Sequence, residues 1–157
     1  MPPDPEELLR QAEALAENSS ATQADLRRAI SAAYYAVFHF CSTAAADMIL
    51  GAGARSSPKY TLVYRSIDHS RFRALPKQLN GSPIAPANGF GKIGDFAGLA
   101  ANLNEERSLA DYDPSKTYGA ATVKIIISGA RQAIDWFRSC TQEQQEACLM
   151  LLLFKPR

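Results

Sequence analysis

The sequence has little of what builds covalently or metal-stapled folds. Its three cysteines, Cys41, Cys140 and Cys148, are odd in number and form no C-x-x-C pair. That argues against a disulfide framework or a zinc site, and leaves the thiols as small buried hydrophobes in a reducing compartment, so a cytoplasmic location is expected. Only two histidines are present, His39 and His69, with no paired carboxylate spacing; no metal and no cofactor is expected. Long apolar runs are also missing. The strongest, Ala147 to Phe154, is eight residues, against the roughly 20 that a membrane-crossing helix needs. A formal net charge of +1 argues against a uniformly basic nucleic-acid coat and against a membrane-surface protein, while leaving room for local patches. Period-two alternation with hairpin turns is absent, as are internal repeats. Gly89, Gly91 and Gly94 have Rossmann-like spacing but no strand before them, so no phosphate-cradling loop is assigned. The acidic, amphipathic N-terminal stretch lacks the features of a secretory signal.

What is present is helical periodicity over nearly the whole chain. With 157 residues and 46% hydrophobic content, residues 1–157 suit one all-α domain with a core that needs no staples. Asp4-Pro5 starts a first helix running to about Glu17, and Thr22 with Asp25 starts a long central helix to Leu50. Ser57-Pro58 starts a third, with Tyr60, Val63, Tyr64 and Ile67 on one face. Pro76, Gly81, Pro83, Pro86, Gly89, Gly91 and Gly94 make 76–94 a long loop, read as a lid or arm. Asp95 caps a fourth helix to about Asp111, a fifth spans the segment from Lys116 to Cys140, and Thr141 with Gln144 caps a short last helix at 141–155. The expected architecture is an antiparallel four-to-five-helix bundle.

Two anomalies stand out against this apolar periodicity. On the central helix, Arg28, Ser31, Tyr35, His39 and Ser42 fall within roughly 80° of one another, opposite Ile30, Val37 and Cys41. Two readings fit: a bundle edge satisfied by i to i+4 hydrogen bonds, or the wall of a site in which His39 exchanges a proton. On the fourth helix, Arg107 interrupts the stripe of Phe96, Leu99, Ala100, Leu103 and Ala110. A buried guanidinium must pair with a carboxylate, for which Asp111 at i+4 is placed, or face a cleft or a partner chain.

A third feature is a local charge of +5 over residues 55–77, from Arg55, Lys59, Arg65, Arg71, Arg73 and Lys77 against Asp68, interleaved with Tyr60, Tyr64 and Phe72. Such a patch suits a phosphate backbone with stacked bases, or is simply a solvated face. The acidic first helix offers it a neutralising partner. His69, with three residues between it and Arg65, is expected on the solvent side of the third helix, opposite Tyr60 and Ile67. The apolar C-terminal helix, Leu149 to Phe154, is a candidate assembly surface.

Taken together, RRAISAAYYAVFHF and LNEERSLADYDP resemble the HEPN domain superfamily, specifically its small stand-alone bacterial members. The residues that carry the resemblance are Arg27, Arg28, Ser31, Ala33, Tyr34, Tyr35, Phe38 and His39, then Arg107, Ala110, Asp111, Tyr112 and Asp113. The resemblance implies a helical bundle paired into a homodimer with a cleft at the interface. It also implies an RNA-directed effector: a metal-independent ribonuclease of toxin–antitoxin or defence type, with a nucleotidyltransferase-type antitoxin as partner. In those nucleases an Arg is followed after four to six residues by His. Here no histidine follows Arg107, and Asp111 and Tyr112 stand in that place. The catalytic candidates are therefore Arg107, His39, Tyr112 and Asp111, with Arg28, Ser31, Tyr35, Arg65, His69, Arg71 and Arg73 as binding candidates. The alternative is a non-catalytic module of the same family that holds a nucleotide, a nucleic acid or a protein.

Overall fold

The computed structural model describes residues 1–156. Among these there are seven α-helices and no strand: α1 (Pro5–Glu17), α2 (Gln23–Leu50), α3 (Pro58–Tyr64), α4 (His69–Leu79), α5 (Ile93–Tyr112), α6 (Ala120–Ser139) and α7 (Gln142–Leu153). Four starts are set by the side chains expected to set them. Asp4 accepts from the Glu6 N–H at 2.9 Å ahead of Pro5, and Ser57 accepts from the Tyr60 N–H at 3.2 Å ahead of Pro58. Thr22 with Asp25 and Thr141 with Gln144 form reciprocal capping boxes, each satisfying two backbone donors that a helix start otherwise leaves open.

The long α2 is the axle of a packed bundle. It contacts α1, α3, α5, α6 and α7, while α4 docks on α5 and α7. Its sequence explains this: Ala29, Ala32, Ala33, Ala36, Ala45 and Ala46 are buried and let neighbours approach, and Ile30, Tyr34, Val37 and Cys41 fill the space between them. The last helix joins the same core through Ala147, Cys148, Leu149, Leu151 and Leu152, leaving only Met150 and Phe154 of its apolar run exposed. Its apolar run is thus largely spent inside the fold.

Several boundaries differ from the sequence expectation. The third helix is two. It stops at Tyr64, Ile67 plugs into the core, and Asp68 turns extended and caps α4, accepting from the Ser70 N–H at 2.7 Å. Next, α4 runs through Pro76 to Leu79, because the fully buried Phe72 and Leu75 hold the turn whose hydrogen bond the proline forfeits. The irregular stretch is therefore 80–92. It is a strap and no free lid: Pro86 is buried, Phe90 packs on the core, and Gln144 Nε2 donates to the Gly89 carbonyl at 3.0 Å. Gly91, at φ +55, lets Gln144 come so close that a Cβ would meet its amide at 2.8 Å.

α5 begins at Ile93, with Asp95 inside the first turn and paired to Lys92, and α6 begins only at Ala120. The acids of α1 also find a different partner from the basic segment: Glu6 and Glu13 both bind Arg131 of α6, at 2.8 and 2.6 Å.

Candidate functional site

The two anomalous stripes meet. Arg107, on α5, is only 8% exposed and lies against α2 with its guanidinium carbon 5.1 Å from the centre of the Tyr34 ring. Its Nη2 donates to Asn104 Oδ1 at 2.7 Å, and its Nη1 is 3.8 Å from Asp111. Asp111 in turn accepts from the Ser31 hydroxyl of α2. The first expectation for Arg107, a carboxylate at i+4, thus holds. The pair is loose, however, and Nε is buried without any partner. A buried guanidinium donor left open is uncommon, and it leaves the seam one acceptor short.

The break between α3 and α4 brings His69 into this cluster. As the first residue of α4, His69 is half-buried, and its ring lies 4.6 Å from Phe38 and 5.8 Å from Tyr35. The Tyr34 hydroxyl is 2.7 Å from its Nδ1, and Asn104 Nδ2 donates to its carbonyl at 2.8 Å. So the solvent-facing position expected of His69 is not where it sits. A helix continued past Tyr64 would have turned it outward; the new start at Asp68 turns it toward α2 and α5.

Further along α2, His39 stacks between Tyr35 and Tyr64, at 5.9 Å from each, and its Nδ1 is hydrogen-bonded to the Tyr64 hydroxyl. Among the described residues the outer nitrogen, Nε2, of each histidine has no partner, and it is not sealed from solvent. Burial holds both imidazoles below their ordinary range; the neighbouring His69 adds to this at His39, and Arg107 adds to it at His69 against the opposing effect of Asp68. Burial pushes the Tyr64 phenol up to about 12, and that of Tyr34 higher still despite the Arg107 charge. Near neutrality the seam therefore carries two uncharged imidazoles, two protonated phenols and one fixed guanidinium.

These shifts fix the sign of the acid response. The unfolded histidines take up protons near their unperturbed value of 6.5, while the folded ones resist, so the unfolded state binds more protons in that window. We expect the melting temperature to fall as pH drops from about 7.5 to about 5, before the carboxylates titrate. A double His39→Gln, His69→Gln variant should flatten that slope, and thermal melts across this range check it.

The other candidates divide. Arg28, Arg65, Arg73, Lys59 and Lys77 are exposed, Tyr35 is half-exposed in the seam, and Tyr112 is 77% exposed and outside the cluster. Arg71 leaves the basic patch altogether: it is 9% exposed and donates to the carbonyls of Leu151, Leu152 and Phe154, closing the C-terminal end of α7. Arg55 is tied to Asp47 at 2.6 Å. Arg27 is likewise structural, donating to the carbonyls of Ala110, Asp113 and Lys116 where α5 ends. Ser42 is fully buried without a partner and does not extend the seam.

Sequence reasoning missed Asn104 and the two phenols of Tyr34 and Tyr64 as site groups. Asn104, an amide one turn before Arg107, carried a signal; Tyr64 was visible only as a ring beside the basic patch, with nothing to tie it to His39.

The seam is an open strip. The larger hollows lie elsewhere, one of about 430 Å³ beside Phe40, Asp47, Arg55 and Arg138, and an apolar one of about 460 Å³ between residues 80–84 and 150–156. Among the described residues no group of three or more His, Cys, Asp or Glu is arranged to hold a metal ion, and no helix is long and apolar enough to cross a membrane. No family model, curated protein or solved structure matches the chain.

Proposed function

We propose that the chain is an HEPN-like effector that engages single-stranded RNA along the seam of α2, α4 and α5, as a homodimer, and cleaves it without metal. The observation that carries this reading is that the two resembling segments, some 70 residues apart, interlock through Ser31–Asp111 and Arg107–Tyr34. Chemistry also supports it. Cleavage without metal needs a fixed cation near the phosphate and groups that exchange protons near neutrality; Arg107, His39 and His69 are of those types. The half-exposed rings of Tyr35, Phe38 and Tyr64 offer stacking surfaces for bases, with Arg65 and Arg73 exposed nearby in sequence for the backbone. A nucleotidyltransferase-type antitoxin as partner rests on the resemblance.

One observation favours a second reading. Arg107 is almost sealed and no histidine follows it on α5, an arrangement that suits a module which binds RNA without cutting it. Incubation with total RNA in chelator separates the two. Cleavage that is lost in Arg107→Lys supports the ribonuclease. Salt-sensitive binding without cleavage supports the module, and neither binding nor cleavage rejects both.

A further inference from the structure

The two histidines are held by similar bonds but in different surroundings. Tyr34 is fully buried, and among the described residues the only hydrogen-bond partner of its hydroxyl is His69 Nδ1. Leaving a buried phenol proton without an acceptor is costly. With no other acceptor, Tyr34 donates to Nδ1, which must then carry a lone pair, so the ring proton of the neutral imidazole sits on Nε2. That nitrogen is the one not sealed from solvent. The backbone is fixed as well, since Asn104 holds the His69 carbonyl at 2.8 Å.

His69 is also the first residue of an 11-residue helix, and the positive end of that helix favours the uncharged ring. The charged groups facing it are Arg107 from α5, which opposes protonation, and Asp68 from the preceding turn, which favours it. Asp111 already engages Arg107 and Ser31. Tyr64, by contrast, is only partly buried, so its hydroxyl can donate to water and leave His39 free to take either tautomer.

We propose that His69 is a neutral hydrogen-bond donor, presenting Nε2–H beside Arg107 to a phosphate oxygen, and that proton exchange in the seam falls to His39 alone. Resting on the RNA reading above, this assigns the two histidines unlike roles. A neutral imidazole can polarise an oxygen without giving up its proton. Tyr34 and Asn104 are then positioning residues, which set the tautomer and the place of the ring.

The test uses the full chain with ¹⁵N-labelled histidine and a 2′-O-methyl RNA oligonucleotide, which binds but cannot be cut. The expected His69 spectrum has a protonated Nε2 and an unprotonated Nδ1, unchanged between about pH 8 and pH 6. In Tyr34→Phe the same signals should average over both tautomers and titrate. His69→Gln, whose amide N–H reaches about as far as Nε2, should keep affinity within about threefold, whereas His69→Ala should lose about tenfold, the worth of one good hydrogen bond. A proton on Nδ1, ordinary titration of His69, or Gln as damaging as Ala, with RNA still bound, overturns the proposal and leaves the RNA reading standing. Failure of the wild-type protein to bind the oligonucleotide, with the expected tautomer intact, overturns the RNA reading and the phosphate role together.

Discussion

Replacing Arg107 with methionine should lower the melting temperature by about 5 to 12 °C. Methionine fills much of the space of the arginine stem, so the loss is mainly electrostatic. Asn104 loses the donor to its Oδ1, Tyr34 loses the cation over its ring, and Asp111 keeps Ser31 as its only hydrogen-bond partner. A charged hydrogen bond and a desolvated cation–π contact together are worth about 2 to 4 kcal/mol. In a domain of this size each kcal/mol moves the midpoint by about 2 to 4 °C. Arg107→Lys keeps the charge but loses the planar fork, and should fall between the two. Differential scanning calorimetry of the three proteins checks the order. A methionine variant as stable as wild type would mean that Arg107 contributes nothing net to the fold.

A loss at least as large is expected from Arg71→Ala, although Arg71 touches no part of the seam. Its guanidinium donates to the carbonyls of Leu151, Leu152 and Phe154 at 2.5, 3.4 and 2.9 Å, where the last turn of α7 has no helical donors left to meet them. Removing a buried charged donor from several acceptors costs about 3 to 5 kcal/mol, less whatever is recovered as the helix end frays into water. The urea midpoint should drop accordingly, and amide exchange should quicken first in α7. RNA binding should survive at temperatures where the variant stays folded, which separates this arginine from those of the seam.

How far the molecule was legible in its sequence depends on the range of the interaction involved. Caps act over three residues, and Asp4, Thr22, Ser57 and Thr141 announced their helices correctly. The break before α4 was hidden because residues 65–68 contain no glycine or proline; it depends on Ile67 entering the core, which is a tertiary event. Arg71 looked like part of a surface patch for the same reason, since the α7 carbonyls it caps lie 80 or more residues away, and nothing near Arg27 in sequence announced its acceptors at the end of α5.

The candidate site was half legible. Arg107 in an apolar stripe and the polar face of α2 were visible as violations of helical pattern, and violations of that kind are where function is to be sought. That Arg107 and His69 share Tyr34 and Asn104 could not be read from spacing, because the link runs through a fully buried phenol and depends on the turn at Asp68.

RNA that binds as proposed lies along this seam, beside both imidazoles. Because the chain contains only His39 and His69, the imidazole signals of the protein report on the seam and nowhere else. The most direct measurement is a titration of histidine-labelled protein with a short single-stranded RNA in chelator, with signals assigned from the two single Gln variants. Both imidazole signals should shift and saturate with one dissociation constant that weakens as salt is raised. RNA that binds while neither histidine signal moves, or RNA that does not bind, would contradict the account.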